Sequence, residues 1–163
     1  MKIEMTDIYR SIRLLLEQKF PNITIQKKDI KNPVPPCFYI KFISGTTIQS
    51  AIEFETNNCS FDVIYFSNDE TLQDLLTIEK ELKAIFKKPL KIELLDEETI
   101  CYQEIDSIST NLNEDDYILN CTLSFSIEQF NADAEQNSTD FENRYDEYDN
   151  EETLEELDIE LEI

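Results

Sequence analysis

Polar and apolar positions alternate along this chain with two different periods, and turn residues mark where one gives way to the other. Between residues 59 and 66, Phe61, Val63 and Tyr65 alternate with Asp62 and Ile64. A period of two predicts a strand, with Asp62 on the face opposite Phe61 and Val63. Ser67 followed by Glu70 fits a capping box, with Asn68 and Asp69 as rival caps. Leu72, Leu75, Leu76, Glu79, Leu82 and Phe86 then follow helical spacing and leave one apolar stripe. Lys87 and Lys88 complement the helix dipole at its C-terminal end, and Pro89 stops the helix.

The same reasoning assigns the rest of the first 130 residues. Thr6 or Asp7 caps a first helix to about Lys19, with Ile8, Ile12, Leu15, Leu16 and Phe20 as its stripe and Pro21 as its end. A short strand over 22–27 carries Ile23 and Ile25 on one face. Residues 29–36 are a loop, because their prolines cannot join a sheet ladder. Strands over 37–43 and 46–55 are expected around a hairpin turn at Ser44-Gly45, with a second turn at Asn57-Asn58. After the second helix come a strand over 91–95, a turn over 96–98 and one irregular strand over 99–109. An acidic turn over 113–116 follows. The last strand, 117–127, places Tyr117, Leu119, Cys121, Leu123, Phe125 and Ile127 on one face and Asn120, Thr122, Ser124 and Ser126 on the other. Runs of strands broken by only two helices predict an α+β fold: an antiparallel sheet with both helices packed on one face, plus an acidic C-terminal extension.

That extension, residues 131–163, differs in kind from the domain expected over 1–130. Residues 132–163 hold 14 acidic groups and one basic group, a charge of −13, against −9 for residues 1–131 and −22 for the chain. Such a segment is too charged to fold by itself. Its end, TLEELDIELEI, has two readings. Leu154, Leu157 and Leu161 share one side of a helix. Leu157, Ile159, Leu161 and Ile163 share one face of a strand. The latter four are the expected contacts through which the extension docks on a partner, by adding a strand to an exposed sheet edge. The expected receptor is a basic strip, around Lys83, Lys87 and Lys88 or around Lys27 and Lys28. The plainer reading of those lysines is a solvated helix face.

Composition removes most chemistry. The chain has no His, so the commonest general base and zinc ligand are missing. Its single glycine, Gly45, argues against phosphate-cradling loops. Neither a metal nor a cofactor is expected. The carboxylates Asp62, Glu104, Asp106, Asp115 and Asp116 have no spacing that brings two to one pocket. The group Asp146, Asp149 and Glu151 lacks the glycine and spacing of a calcium loop. Cys37 and Cys121 lack a base to activate them. Cys37, Cys59, Cys101 and Cys121 form no CxxC pair and fall in or beside apolar runs, so buried free thiols in a reducing compartment are expected. The excess of acid disfavours nucleic acid as a specific partner. The N-terminal stretch lacks a secretory pattern, and no apolar run reaches transmembrane length, so no membrane contact is expected.

Four stretches carry a resemblance: IYRSIRLLLEQKFPNI, NPVPPCFYIKF, FDVIYFSNDETLQDLLTIEKELKAIF and YILNCTLSFSI. Together, over about Met5 to Gln129, the chain resembles the tail terminator proteins of tailed phages and phage-tail-like particles. The resemblance implies a small, non-enzymatic α+β protein forming a hexameric ring. That ring would cap the tail tube and join it to the neck or head connector. Implied partners are further copies of the chain, the tube protein, the sheath where the tail is contractile, and connector proteins. DNA would pass the lumen without specific binding. The protein would assemble in the host cytoplasm and end in the virion. The acidic composition also fits a second class, an inhibitor that mimics DNA or an immunity-type protein blocking a basic partner.

Overall fold

The computed structural model describes residues 2–27, 32–49, 54–94 and 99–130. Lys28, the turn expected over 96–98 and the extension with Leu157, Ile159, Leu161 and Ile163 lie outside them. The described chain runs α1 (Met5–Lys19), β1 (Thr24–Gln26), β2 (Cys37–Gln49), β3 (Phe54–Phe66), α2 (Leu72–Phe86), β4 (Leu90–Glu93), β5 (Ile100–Gln103), β6 (Ser107–Asn113) and β7 (Ile118–Phe130). Five strands form one sheet in the order β1-β2-β3-β7-β6, and β4 pairs with β5 separately. The fold is α+β. The sheet is mixed rather than wholly antiparallel, because β1 runs parallel to β2. The ten residues between those two strands carry the chain back to the same end, so both strands start from it.

One face of the main sheet is the core. Phe38 and Ile40 of β2, Phe61, Val63 and Tyr65 of β3, and Leu119 to Ile127 at alternate positions of β7 are buried there with α1 and α2. Fully burying one such side chain contributes about 1.5–3 kcal/mol. α1 supplies Ile8, Ile12 and Leu16; α2 supplies Leu75, Ile78, Leu82 and Phe86. Leu72 and Leu76, expected on the stripe, are exposed, and Ile78 takes their place. The stripe of α2 is therefore rotated toward the i, i+3, i+7, i+11 row that begins at Leu75.

Several local expectations are corrected. Ser44-Gly45 is not a turn. β2 continues through it to Gln49, and the reversal falls between Gln49 and Phe54. A register shift between Phe42 and Ser44 puts an extra residue, Ile43, into β2. Gly45 serves this bulge: a Cβ there would lie 3.0 Å from the Phe42 ring. Asn57 and Asn58 are ladder residues paired with Thr47 and Thr46. Ser67 does not cap α2. Its hydroxyl donates to Asp74 Oδ2 at 2.6 Å, and Thr71 Oγ1 accepts from the Asp74 N–H at 3.2 Å. α1 starts at Met5 with Glu4 as its cap, whose N–H donates to Asp7 Oδ2. The strand expected over 99–109 is two strands in two sheets, broken at 104–106. Tyr117, expected in the last strand, sits in the turn before it with φ 52.

Candidate assembly surfaces

The strands place three surfaces outside the core. The first is the open face of the main sheet. The pairings align Lys41, Ser60, Asp62, Asn120, Thr122, Ser124, Ser109 and Asn111 on the side away from the helices. Thr122 Oγ1 donates to Asp62 Oδ1 at 2.6 Å and Asn120 Nδ2 donates to Asp62 Oδ2 at 3.3 Å. The Ser60 and Ser124 hydroxyls meet at 3.2 Å, and Ser126 Oγ donates to Asn58 Oδ1 at 2.8 Å. Asn120 Oδ1 is buried with no partner among the described residues. Lys41, Asp62 and Glu128 are the charged side chains on this face among the described strands. The face is thus close to neutral in a chain of net charge −22.

The second surface is an arm. β2, β3 and β7 each run 13 residues, about 43 Å at the usual rise, whereas a 15-residue helix such as α1 or α2 is about 23 Å long. From Lys41 onward every described residue of β2 is exposed. After the bulge at Ile43, the even-numbered residues of β2 lie on the open side. Ile48, Phe54 and Phe130 therefore share that side at the far end, 56%, 49% and 49% exposed, with the Phe54 and Phe130 rings edge-to-face at 5.9 Å. On the other side of the arm, Gln129 is buried. It accepts from the Ile3 N–H at 3.0 Å and donates to Glu55 Oε1 at 2.7 Å, tying the N-terminal segment to the arm.

The third is the outer side of the helix layer. Lys83 pairs with Glu79 at 2.6 Å, and Glu79 also accepts from Thr110 on the sheet at 2.5 Å. These donors, Lys83 first, hold the Glu79 carboxyl below its ordinary value. Lys87 and Lys88 follow α2 and are exposed; Lys27 is exposed just past β1. So of the expected dock, Lys83, Lys87 and Lys88 share one region of α2, and Lys27 belongs to another element.

Residues weighed for catalysis are scattered. Asp62 is mid-β3, Glu104 and Asp106 connect β5 to β6, and Asp115 and Asp116 stand in the turn into β7. No two of these carboxylates share a hydrogen-bond donor among the described residues. Tyr65 Oη donates to Asp74 Oδ2 at 2.9 Å, and its own ionisation is pushed up, chiefly by burial. That network anchors the start of α2 on the sheet. The four thiols are free. Cys37, Cys59 and Cys121 are buried, whereas Cys101 is half-buried. Burial raises Cys59 to about 11 and Cys121 to about 12, so neither is an activated nucleophile. No metal-holding group of His, Cys, Asp and Glu occurs among the described residues. Among them, no helix is long and apolar enough to cross a membrane.

The arm's apolar end was not foreseen from the sequence. Its signal was Ile48, Phe54 and Phe130 standing at positions that the alternating pattern reserves for polar residues.

Such a domain presents extended strands and shaped faces to other proteins. It has the make-up of a structural assembly protein. The sequence model of the family described as phage tail terminator protein matches residues 7–140. The chain belongs to this family, which gives it a structural role in a phage tail and interactions with other tail or neck proteins. The match runs ten residues past the end of β7. No curated protein matches the chain.

Proposed function

We propose that copies of this chain close into a ring, six by resemblance, that caps the tail tube and joins it to the neck connector. Family membership supports the setting, and the arm carries the reading. β2 runs on exposed from Lys41 to Gln49, and the open side of the far end carries exposed Ile48, Phe54 and Phe130. An apolar patch of this kind marks a protein interaction site. The heterologous contacts of a ring join two different surfaces of one subunit. The arm of one copy and a surface of its neighbour form such a pair. The tube protein, the sheath of a contractile tail and the connector are the further partners. A net negative ring would let DNA pass without adhering.

In this reading residues 1–130 are the ring-forming domain and 131–163 an appendage. Assembly takes place in the host cytoplasm before the ring enters the virion. The protein acts without catalysis. The inhibitor reading needs carboxylates spread over one face, and among the described residues the open sheet face offers only Asp62 and Glu128.

Deleting the gene in a producing strain should give tails of abnormal length, or tails unattached to heads, by electron microscopy. A gene carrying Ile48→Ser with Phe130→Ser should give the same phenotype, with soluble folded protein still present. Normal tails in the deletion would overturn the function. Normal tails in the double variant alone would remove the arm from it.

A further inference from the structure

A groove of about 630 Å³ separates the outer sides of α1 and α2. Its apolar lining comes from Leu14 and Leu15 of α1, Ala84 and Ile85 of α2, and Pro89 and Leu90 at the start of β4. Leu14 is half exposed although it is large and apolar. Lys19, Lys88, Lys91 and one carboxylate, Glu93, also line the groove. A second cleft of about 610 Å³ shares Ala84 and Lys88 with it and adds Lys80, Lys83 and Lys87. Lys83 and Lys91 have carboxylate partners on their own elements. Among the described residues, Lys19, Lys80, Lys87 and Lys88 have no carboxylate within 4.0 Å. Lysines with no carboxylate partner among the described residues, gathered beside exposed leucine, are unusual on a chain with 36 acidic groups.

We propose that this groove receives the C-terminal segment of the chain, residues 151–163, from the same copy or a neighbouring one. Charge complementarity identifies the occupant. The segment EETLEELDIELEI contains seven carboxylates, five large apolar residues and no cation. Apolar residues would meet Leu14, Leu15 and Ile85 while the carboxylates meet the free lysines. The main sheet's edges suit it less. β1 is only three residues long, and β6 presents Ser107, Ser109, Asn111 and Asn113 with no lysine. Two helices flanking a groove accept an i, i+3, i+7 row, which Leu154, Leu157 and Leu161 supply. Reach imposes no limit. Twenty-three residues lie between Phe130 and Leu154, a span of about 80 Å when extended. The proposal does not depend on the ring.

The test is zero-length carbodiimide cross-linking of the full-length protein, read by mass spectrometry. Amide links are expected from the carboxylates of residues 151–163 to Lys19, Lys80, Lys87 and Lys88. Links to Lys2, Lys27 and Lys41, off the groove, should be rare. Replacing Leu154, Leu157 and Leu161 by Ser should lower the groove links roughly tenfold or more, because apolar burial outweighs exposed ion pairs. Replacing Ile159 and Ile163 by Ser should lower them less. Mixing isotope-labelled and unlabelled protein assigns each link to one copy or two, and either supports the docking. Even labelling of all lysines, or undiminished links in the triple Ser variant, would overturn it. So would a larger loss from the Ile159 and Ile163 pair, since the segment would then bind through its alternate face. Unchanged melting of the variants shows that the domain itself is intact.

Discussion

The two faces of the main sheet are built from the same strands, one residue apart, and they could hardly differ more. Toward the helices stand Val63, Leu119 and Leu123, each fully buried. One position along, toward the open side, stand Asp62, Asn120, Thr122 and Ser124, half-buried, with Asn120 and Thr122 donating to Asp62 and Ser124 meeting Ser60. The covered face holds the fold together by excluding water. The open face satisfies most of its polar groups laterally, Asn120 Oδ1 excepted, and leaves little charge for water to hold. Bringing such a face against another protein removes few charges from solvent, which is the costly part of most polar interfaces.

The contrast is most severely tested by adding the same charge to each face. Leu123→Asp should place an unpaired carboxylate in the core and cost several kcal/mol, enough to unfold the domain. Ser124→Asp should cost far less, about 1 kcal/mol, because the half-buried position leaves the new carboxylate access to water. Denaturant midpoints of the two variants decide it. Equal tolerance would mean that the register of β7 is wrong.

A smaller effect is expected from acid. Glu79 reaches from α2 toward the covered face and accepts from Lys83 and Thr110. Its folded ionisation is lowered from the ordinary 4.5. The stability it contributes is therefore fully present above that value and lost as pH falls through its lower folded value. Glu79→Gln should flatten the acid limb of the stability curve as pH falls below the ordinary carboxylate value of 4.5. An unchanged limb would show that the Lys83 and Thr110 contacts add nothing.

The thiols give the smallest effect, one of rate alone. Cys59 and Cys121 stand on the covered face. Cys37 lies on the open side yet is fully enclosed. Cys101 is half-buried in the small sheet. A thiol reagent at pH 8 should label Cys101 first and the other three only on denaturation. Rapid native labelling of Cys121 would contradict a closed core.

The sequence made the covered face readable because burial there is one-sided. Alternation in 117–127 and the opposition of Asp62 to Phe61 both follow from side-chain period alone, and the structure has both, the first from Ile118 onward. Local turn chemistry was less legible. Ser44-Gly45 looks like a hairpin turn, but Thr46, Thr47 and Ile48 pair well in a ladder, and the glycine makes room for a ring rather than reversing the chain. Thr71 and Asp74 repeat the same capping pattern as Ser67 and Glu70 four residues on, so spacing alone could not choose between them. Glu70 has φ 48, outside the helical region, which decides it. The parallel pairing of β1 depends on a long-range return that no local pattern encodes. The lysines of α2 were visible as a basic segment. The groove beside them was not, because α1 supplies its other wall from some 70 residues away.

The extra residue at Ile43 turns the arm into a matter of counting. Were β2 regular, its even-numbered side chains would keep to one side from Phe38 to the tip, and Ile48 would stand across the sheet from Phe54 and Phe130. One inserted residue swaps odd for even in everything that follows and gathers the three together. The arm should therefore forgive many substitutions between residues 43 and 49 and forgive almost no change in their number. Related chains that keep this contact would have to keep the count, even where hardly a side chain in the segment is shared.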